Sequence, residues 1–497
     1  MERVEHFLSN QLLDGGAHPA ISDSLGVSWS YAELNVAADA LADHLRTAGV
    51  RGQDRVLLLA ENCAAAVAAL FACWKLDAVA IPVNARQTET EVLRILDHAT
   101  PAVILATSAV SQDALTHADR FGAQVITGAF GRMHLCLRQP APDPHLEGVA
   151  VLLYTTGTTG DPKGVMLTHS GMCFGGIASS NLRNMTRADV VYGVLPLTHV
   201  FGLISVVTGV CYAGAHLRQE TRFSAEALYK AVTDNVTVLP AVPQMHALAM
   251  QYVEEKGLTQ LKSNTLRYVS SGGAPLDPAW KRKAEAFYGL ALQNGFGMTE
   301  TSSGASATNN PLGSSDISVG PPTPGTEIAI DDQAPGGNGA GEGEVLVRGP
   351  HVMKGYYRNP VETAKTLMPD GWLRTGDLGK IDARGHLHIL GRSKELIIHG
   401  GFNVYPPEVE AAINDHPQVI QSAVIGHVQE GDEKVFAFVQ IAPSDSLSSE
   451  ALHAFVKERL VGYKRPSRYI IAVALPAAPT GKVLKHKLKE TFADQLV

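Results

Sequence analysis

Strand and helix patterns alternate in the N-terminal part of this chain, and this alternation constrains the fold more than any other feature. Residues 31–49 have the apolar spacing of a helix, and a short apolar run, DRVLLLA, follows at 54–60. An Ala-rich helical stretch at 61–78 and a second apolar run, VAIPVN at 79–84, repeat the unit. Such units are typical of a parallel sheet with helices on its faces. We therefore predict an α/β fold.

The pattern recurs later and then changes. Strand-like runs return as AVILATSA, AQVIT, TVLPAVP and LRYVSSGG. From about Gly320, short strands with Gly/Pro turns predict a mainly antiparallel β subdomain at about 320–391. The remaining residues have the texture of a compact α+β unit. We predict a large N-terminal domain, 1–391, with parallel-rich sheets and the β subdomain, and a small C-terminal domain, 392–497.

Composition excludes several classes of protein. With 45% hydrophobic and 18% charged residues, the chain can build a large core and is not wholly disordered. No apolar run is long enough for a transmembrane helix, and the N-terminus lacks the apolar stretch of a signal peptide. Five scattered cysteines argue against a disulfide framework and fit a reducing cytosol, so we expect a cytoplasmic protein.

Charge is unevenly distributed. The net charge, 41 − 49 = −8, disfavours a nucleic-acid binder. Between Lys464 and Lys489, however, the sequence contains seven basic residues and no acidic one. This basic strip fits either a small polyanionic ligand or a solvated helix face, and charge alone does not separate the two.

The string YTTGTTGDPKGV at 154–165 has the composition of a phosphate-binding loop. Three glycines allow close backbone approach, while four threonines and Lys163 supply hydroxyl groups and a charge. The string fits neither the Walker A pattern nor G-x-G-x-x-G, so it indicates neither a P-loop NTPase nor a dinucleotide-binding fold. We expect it to follow an apolar strand and to precede a helix.

This loop resembles the phosphate loop of the AMP-forming adenylating superfamily, which includes acyl- and aryl-CoA ligases, beetle luciferases and peptide-synthetase adenylation domains. Other strings resemble the superfamily's motifs in the same order: QNGFGMTE at 293–300, GEGEVLVRG at 341–349, WLRTGDLG at 372–379, GRSKELIIHGGFNVYPPEVE at 391–410 and PTGKV at 479–483. The resemblance covers nearly the whole chain. It is greatest to the branch of acyl-CoA synthetases and aryl-CoA ligases.

The resemblance implies the adenylation of a carboxylic acid by ATP and Mg²⁺. Lys482 is then the catalytic lysine that bridges the carboxylate and the α-phosphate, and Thr299 is a catalytic residue that faces the α-phosphate. Glu300 is the magnesium ligand. Asp377 and Arg392 contact the ribose. The other implied ATP/AMP-binding residues are Thr155, Thr156, Gly157, Thr158, Thr159, Gly160, Lys163, Gly272, Gly273, Ala274, Asn294, Gly295, Phe296, Gly297 and Met298.

The acyl pocket is implied in the same way. His199, also expected to be catalytic, occupies the position of a family histidine that lines the pocket. The remaining pocket residues are Val200, Phe201, Gly202, Gly297, Met298 and Ser302. These residues are small or apolar, with no arginine or lysine to hold a second carboxylate, which argues against dicarboxylic acids. A medium- or long-chain fatty acid is our first expectation, and an aryl acid is the alternative.

A second half-reaction on coenzyme A is implied by the C-terminal motifs. Lys394 falls at the family's hinge, about which the C-terminal domain turns between the two half-reactions. Gly400, Gly401 and Phe402 are expected beside the thiol tunnel. Lys464 and Arg465 fall where family members contact the CoA nucleotide, which gives the basic strip a candidate ligand.

The sequence leaves several alternatives to a CoA ligase. A stand-alone adenylation enzyme that loads a carrier protein is the main alternative acceptor class. Fatty-acyl-AMP ligases carry an insertion that this sequence lacks, and luciferase chemistry is disfavoured. A protein that binds nucleotide without catalysis would not need both Lys482 and Glu300. The expected partners are a small carboxylic acid and coenzyme A, and a homodimer is plausible.

Overall fold

The computed structural model of the chain describes residues 3–139, 142–156, 162–258, 261, 265–273, 276–400, 402–429, 432–477 and 483–496. Its strands are β1 Pro19–Asp23, β2 Ser28–Ser30, β3 Arg55–Ala60, β4 Val79–Asn84, β5 Val103–Ala106, β6 Gln124–Gly128, β7 Gly131–Leu137, β8 Val149–Thr156, β9 Pro162–Thr168, β10 Val190–Gly193, β11 His216–Gln219, β12 Val238–Ala241, β13 Tyr268–Gly272, β14 Leu292–Met298, β15 Ser303–Ala307, β16 Glu327–Asp331, β17 Gly343–Arg348, β18 Leu373–Ile381, β19 Leu387–Arg392, β20 Ile397–His399, β21 Phe402–Val404, β22 Val419–Gln429, β23 Asp432–Ile441 and β24 Arg468–Ala472.

The helices are α1 Glu5–Asn10, α2 Tyr31–Thr47, α3 Ala64–Lys75, α4 Glu89–Ala99, α5 Gln112–Arg120, α6 His169–Leu182, α7 Gly209–Ala213, α8 Ala225–Asp234, α9 Pro243–Glu255, α10 Pro278–Tyr288, α11 Pro360–Thr366, α12 Pro406–Asn414, α13 Ser449–Lys457 and α14 Lys485–Thr491. A buried π-helix, Phe201–Thr208, precedes α7. Short 3₁₀ turns lie at Thr299–Thr301 and Ser393–Glu395.

Two large sheets form the N-terminal part. One has the strand order β15-β14-β13-β12-β10-β11-β1-β2, and the other has the order β6-β7-β5-β3-β4-β8-β9. Most neighbouring pairs in the middle of each sheet are parallel, which confirms the predicted α/β fold. The run AQVIT, taken as part of the parallel pattern, is β6, and it pairs antiparallel with β7 in a hairpin. The edges of both sheets are therefore mixed.

Helix α3 shows how the two sheets share one core. Its sequence is apolar on every side, and all of its residues except Ala65 and Lys75 are buried. A helix of this kind must be enclosed by other elements. Strand β3 is buried on both faces of its sheet. Val56 and Leu58 face the core that contains α3, and Leu57 and Leu59 face a second core that contains α4 and α5.

The last third of the chain forms smaller sheets. Strands β16 to β19 pair antiparallel in sequence order, as the Gly/Pro-rich texture predicted. In the C-terminal part, β22, β23 and β24 form one sheet with helices α12 and α13 on one face and α14 on the other. The limits of the two domains, 1–391 and 392–497, stay a prediction.

In the portion of the chain that the structure describes, none of the helices combines the length and the apolar character needed to cross a membrane.

Candidate active site

The threonine- and glycine-rich string joins two antiparallel strands. Strands β8 and β9 pair so that Thr155 lies opposite Lys163 and Tyr154 opposite Gly164. The expectation that a helix follows the loop directly is wrong, because the chain reverses into β9 and only then enters α6. The alternation of buried and partly exposed residues in β9 explains the strand, which has one face in the core. Pairing of the strands fixes Thr155 and Lys163 side by side.

A second segment locks this hairpin to the end of β14. The amide of Tyr357 donates to the Gly164 carbonyl at 2.8 Å, and Val165 pairs with Tyr356. The amide of Met353 donates to the carbonyl of Glu300, also at 2.8 Å. Residues 353–357 therefore hold the hairpin and Glu300 in one fixed arrangement.

Tyr356 links the two charged groups of this arrangement. Its hydroxyl donates to Glu300 Oε1 at 2.8 Å, and Lys163 Nζ lies 5.3 Å from the centre of its ring. Burial and the neighbouring Glu300 carboxylate raise the pKa of Tyr356, so it stays a neutral donor. Lys163 is also 2.5 Å from Glu362, and the hydrogen bonds from Lys163 and Lys365 lower the pKa of Glu362 to about 2.

Glu300 is a buried carboxylate, with only 8% of the residue exposed, in the 3₁₀ turn that follows β14. Thr299 beside it is buried as well. The chain then passes through Ser302 and Ser303, both with positive φ, and returns antiparallel along β14 as β15. No cluster of three or more His, Cys, Asp or Glu side chains that could hold a metal ion occurs among the residues described. A single carboxylate fits Mg²⁺, which commonly binds through one or two protein carboxylates plus substrate phosphates.

The carboxyl ends of β13 and β14 meet beside this turn. Gly272 lies opposite Gly295 in the parallel register, and Gly273 has a φ of +81°. A Cβ atom at Gly272 would lie 3.1 Å from the ring of Phe201, so the ring packs almost directly against the backbone. Open α/β sheets bind ligands at the carboxyl ends of their strands, so this edge is suited to a flat ligand.

Two residues of β14 pack into the protein. Asn294 is 3% exposed, and its side-chain Nδ2 donates to the Ser318 carbonyl at 3.2 Å. Phe296 packs against the core of the β subdomain, which includes Val345 and Val347. These contacts fix β14 relative to the sheet that carries Asp377.

Asp377 and Arg392 lie opposite each other on β18 and β19. Arg392 Nε is 3.3 Å from Asp377 Oδ1, and the Asp377 amide donates to the Thr375 hydroxyl at 3.1 Å. The aspartate side chain is 9% exposed and the arginine side chain 53% exposed. A shielded carboxylate beside a solvent-facing guanidinium provides both acceptor and donor groups for a polar ligand.

The predicted acyl-pocket residues surround the start of the π-helix and the β14–β15 turn. Val200 and Gly202 are buried, and a Cβ at Gly202 would lie 2.2 Å from the Pro196 carbonyl oxygen. His199 is exposed, and the Phe201 amide donates to its Nδ1 at 3.3 Å. Other members of the set differ in exposure: Met298 is half-buried, Gly297 is exposed and Ser302 is buried.

The C-terminal residues form a second group. Phe402 stacks on Tyr463 with ring centres 4.6 Å apart, and Lys464 Nζ pairs with both carboxylate oxygens of Glu408 at 2.6 and 2.7 Å. Arg465 Nε donates to the Leu460 carbonyl at 2.7 Å. The basic strip is therefore partly tied into the domain's own structure.

The predicted hinge residue precedes this group in the chain. Lys394 lies in the short 3₁₀ turn between β19 and β20. Gly400 has a φ of +57°, a conformation that favours glycine.

Seven predicted site residues lie outside the described residues: Gly157, Thr158, Thr159, Gly160, Ala274, Gly401 and Lys482. The side chain of Thr156 is likewise not described. Beside the segment that contains Lys482, Ala477 pairs with Val483. Ala477 also lines a cleft of about 390 Å³ whose other walls include Asn62, Pro196 and Gln244 of the N-terminal part. The residue before this segment thus borders the N-terminal domain.

Sequence reasoning did not identify Tyr356, Glu362 or the arginines of this cleft. Arg222 makes two hydrogen bonds to the buried Glu61, and Arg86 lies 3.5 Å from the same carboxylate. Arg222 also pairs with Asp113 at 3.0 Å, so the two arginines of this wall face two carboxylates. In the sequence, Tyr356 is marked only by the string GYY at 355–357, which follows the recognised GEGEVLVRG at 341–349. The role of Tyr356 depends on residues more than 50 positions away.

Family models match most of the chain. A model described as an AMP-binding enzyme matches residues 10–357, and one described as the C-terminal domain of AMP-binding enzymes matches residues 408–482. Relatives align over nearly their full length. A feruloyl-CoA synthase from Amycolatopsis is 34% identical over 94% of each chain, and the long-chain-fatty-acid–CoA ligase FadD13 from Mycobacterium tuberculosis is 32% identical over 95% of each chain.

Solved structures show the same architecture. ATP-bound MatB from Rhodopseudomonas palustris superposes with a TM-score of 0.85 at 30% identity and covers 100% of both chains. The o-succinylbenzoate coenzyme A synthetase MenE from Bacillus subtilis, in complex with ATP and magnesium ion, has a TM-score of 0.81 at 27% identity, covering 97% of this chain and 99% of the other.

Proposed function

Because the chain belongs to the AMP-forming adenylating superfamily, in its branch of acyl- and aryl-CoA ligases, we propose that it converts a carboxylic acid, ATP and coenzyme A into an acyl-CoA thioester, AMP and pyrophosphate. In the first half-reaction a carboxylate oxygen attacks the α-phosphorus of ATP, and pyrophosphate leaves. In the second, the CoA thiolate attacks the acyl carbon of the acyl-adenylate, and AMP leaves. Mg²⁺ is the proposed metal.

The observation that carries this proposal is the link from Lys163 through Tyr356 to Glu300. It holds a cation and a shielded carboxylate at one edge, beside the hairpin whose turn is rich in glycine and threonine. Adenylation brings two anions together, so it needs charge neutralisation and alignment more than an acid–base pair. We propose that Lys163 and the hairpin hold the phosphates and that Glu300 holds Mg²⁺, which neutralises phosphate charge.

The other nucleotide contacts follow from the strand ends. Gly272 and Gly273 offer bare backbone for adenine, with Phe201 packed behind Gly272. Asp377 accepts hydrogen bonds from the ribose hydroxyls, and Arg392 donates to the same sugar. Lys482 is proposed to bridge the acid and the α-phosphate, with Thr299 donating to the α-phosphate.

For the second half-reaction, the C-terminal domain is proposed to turn about Lys394. Stacked Phe402 and Tyr463, with Lys464 5.8 Å from the Tyr463 ring centre, would then face coenzyme A. Aromatic rings beside a cation suit an adenine nucleotide. Release of Lys464 from Glu408 would free its charge for a phosphate, and Arg465 lies next in sequence.

A medium- or long-chain fatty acid is the proposed substrate, and an aryl acid is the second candidate. The relatives include enzymes named for both kinds of acid. Apolar Val200, Phe201 and Met298 fit either acyl group. A carrier protein in place of coenzyme A is the alternative acceptor. All five cysteines lie in the described part of the chain, where they are buried and form no disulfide, which supports the proposed cytoplasmic location. A homodimer is also proposed.

A panel of acids tests the proposal. Straight-chain acids of two to sixteen carbons and substituted benzoic and cinnamic acids are incubated with the enzyme, ATP and Mg²⁺, with and without coenzyme A. We expect pyrophosphate with the preferred acid alone, and equimolar AMP and thioester once coenzyme A is added. Formation of ADP, or pyrophosphate release without any CoA thioester, would contradict a CoA ligase. Selectivity for cinnamic over fatty acids would select the aryl alternative.

A further inference from the structure

A second cleft opens on the opposite edge of the β13–β14 pair from the proposed active site. It has a volume of about 350 Å³, and its walls include Arg267 and Tyr268 at the start of β13 and Ala291 just before β14. Gly272 and Gly295 lie towards the other ends of the same strands. The cleft is therefore separate from the edge at which nucleotide and acid are proposed to bind.

Two arginines line this cleft, and its lining contains no aspartate or glutamate. Arg267 is neutralised by Asp189, a residue that does not line the cleft. Its Nε lies 2.7 Å from Asp189 Oδ1, and its Nη2 lies 2.7 Å from Asp189 Oδ2. Asp189 also accepts hydrogen bonds from Thr186 and Thr237. The charge of Arg183, the other arginine, is not matched by this carboxylate.

Arg183 is an unusual residue to bury. It is 5% exposed, and its Nη1 donates to the carbonyl of Ser205 at 2.7 Å. Its Nε has no hydrogen-bond partner, and no carboxylate pairs with it within the part of the chain that is described. A buried charge without a counterion is strongly unfavourable, since desolvation is not repaid by an ion pair. Burial accordingly lowers the pKa of Arg183.

Asn310 lines the same cleft. The Nδ2 atom of Asn310 is buried and lacks a partner among the described residues. Water would leave the guanidinium charge unneutralised, whereas an anion would neutralise it. Leu182, Leu290 and Leu312 add apolar surface to the walls, so the cleft combines two free donors and one unmatched positive charge with room for a small organic body.

We propose that this cleft, the Arg183 cleft, binds a small molecule with an oxyanion group, either a carboxylate or a phosphate. The oxyanion accepts from Arg183 and Asn310, and the leucines contact the rest of the molecule. Arginine is suited to carboxylate and phosphate groups through charge-assisted hydrogen bonds. Ser205, which accepts the hydrogen bond from Arg183, lies in the π-helix that begins with Phe201. Arg183 therefore connects the cleft to the helix that packs behind Gly272 at the proposed adenine site.

Calorimetric titration of the full-length protein tests this site. Inorganic phosphate and benzoate are titrated separately in the presence of saturating α,β-methylene-ATP and the preferred acid, which occupy the proposed nucleotide, phosphate and acyl sites and remove binding there from the signal. We expect at least one of the two anions to bind at one site per chain with a dissociation constant in the millimolar range or below. The phosphate and benzoate arms distinguish the two sources of the oxyanion.

Variants assign that binding to the cleft. Asn310→Leu removes one donor and Arg183→Gln removes the charge, and each is expected to weaken binding about tenfold or more, the loss of one hydrogen bond to a charged group. Arg187→Gln is the matched control, because Arg187 pairs with Asp14 and does not line the cleft. If Arg183→Gln does not fold, anion binding to Asn310→Leu alone tests the assignment to the cleft. Failure of both anions to bind, or equal binding by wild type and Asn310→Leu, overturns the proposal.

Discussion

Glu300 is buried and accepts a hydrogen bond from Tyr356, whose ring also contacts Lys163. The Glu300–Tyr356 pair therefore connects the turn after β14 to the β8–β9 hairpin. The phenol stays protonated because burial and the carboxylate both raise its pKa. One carboxylate oxygen is therefore occupied by a neutral donor. This arrangement restricts how Glu300 can approach a metal ion, and it ties that approach to the hairpin through Lys163.

Replacement of Glu300 by glutamine tests its proposed role at the residue scale. We expect pyrophosphate release to fall by about 10²-fold, as when one preorganised charge-stabilising group is lost. We also expect the Mg²⁺ concentration at half-maximal rate to rise, since an amide is a poorer ligand than a carboxylate. Initial rates against Mg²⁺ concentration give both values. Glu327→Gln, an exposed change on β16, serves as control. A normal Mg²⁺ dependence in Glu300→Gln would exclude the metal role.

At the scale of elements, the β14–β15 turn depends on a glycine that no other residue can replace without movement. A Cβ atom at Gly297 would lie 1.9 Å from the carbonyl oxygen of Ser303 on the paired strand. Overlap with backbone cannot be relieved by rotating a side chain. Because Thr299 and Glu300 follow directly, any shift of the strand moves both.

Gly297→Ala is therefore expected to destabilise the protein by about 3 kcal/mol, the upper part of the range for overpacking, and to abolish adenylation. Gly304→Ala is the matched control, since a Cβ there meets nothing within 4 Å. Urea denaturation followed by tryptophan fluorescence measures the difference. Equal midpoints for the two variants would show that the turn tolerates a side chain.

The segment before the β subdomain is fixed to the β18–β19 turn by Asp316. Burial would raise the pKa of this carboxyl, but hydrogen bonds from the Ser318 amide and hydroxyl and from His386, with the Arg384 charge, lower it to about 2. A carboxyl with a lowered folded-state pKa stabilises the fold fully above its unfolded value, near pH 4, and loses that contribution as the pH falls towards 2.

Asp316→Asn should consequently be less stable than wild type at pH 6, with the difference narrowing as the pH is lowered from 5 to 3. Urea midpoints at each pH give the comparison. Asp370→Asn, a change in a different turn, controls for the loss of one charge. A difference that does not vary with pH would mean that Asp316 acts through shape and not through its charge.

The sequence predicted elements whose signal is local and missed those that depend on distant pairing. Helix α3 and strand β3 were predicted because their apolar runs are self-evident. Strand β9 was missed because its partner faces it only after the loop reverses, and because Tyr356, almost 200 residues away, pairs with Val165. Likewise, the resemblance named Glu300 and Lys163, but nothing in the local sequence connects them to one another or to Glu362.

At the scale of the whole molecule, the proposed boundary between the two domains falls at the short turn Ser393–Glu395, which has charged groups beside it. Lys485 Nζ lies 2.8 Å from Glu395, next to the proposed hinge, and 2.8 Å from Glu410 in α12. This group ties α14 to α12 and to the residue that follows the proposed hinge. A rotation about Lys394 would therefore carry the Lys482 segment with the domain.

Lys394→Pro is expected to restrict the backbone at the pivot, because proline fixes φ and removes an amide donor. We expect adenylation, read as pyrophosphate release, to stay within about threefold of wild type, while thioester formation falls at least tenfold, a change of about 1.4 kcal/mol in barrier. Single-turnover assays separate the two steps. Lys394→Ala controls for the lost charge. A folded Lys394→Pro enzyme that cannot adenylate would place the hinge elsewhere.

The central claim is that Lys482 acts in adenylation and not in thioester formation. The most direct test is the Lys482→Ala variant, assayed for each half-reaction separately. Pyrophosphate release from ATP and the acid is expected to fall by about 10²-fold or more, since one charge that stabilises the transition state is gone. Thioester formation from supplied acyl-adenylate and coenzyme A should stay within a few-fold of wild type. Equal losses in both steps would contradict a C-terminal domain that delivers this lysine for adenylation and withdraws it for thioester formation.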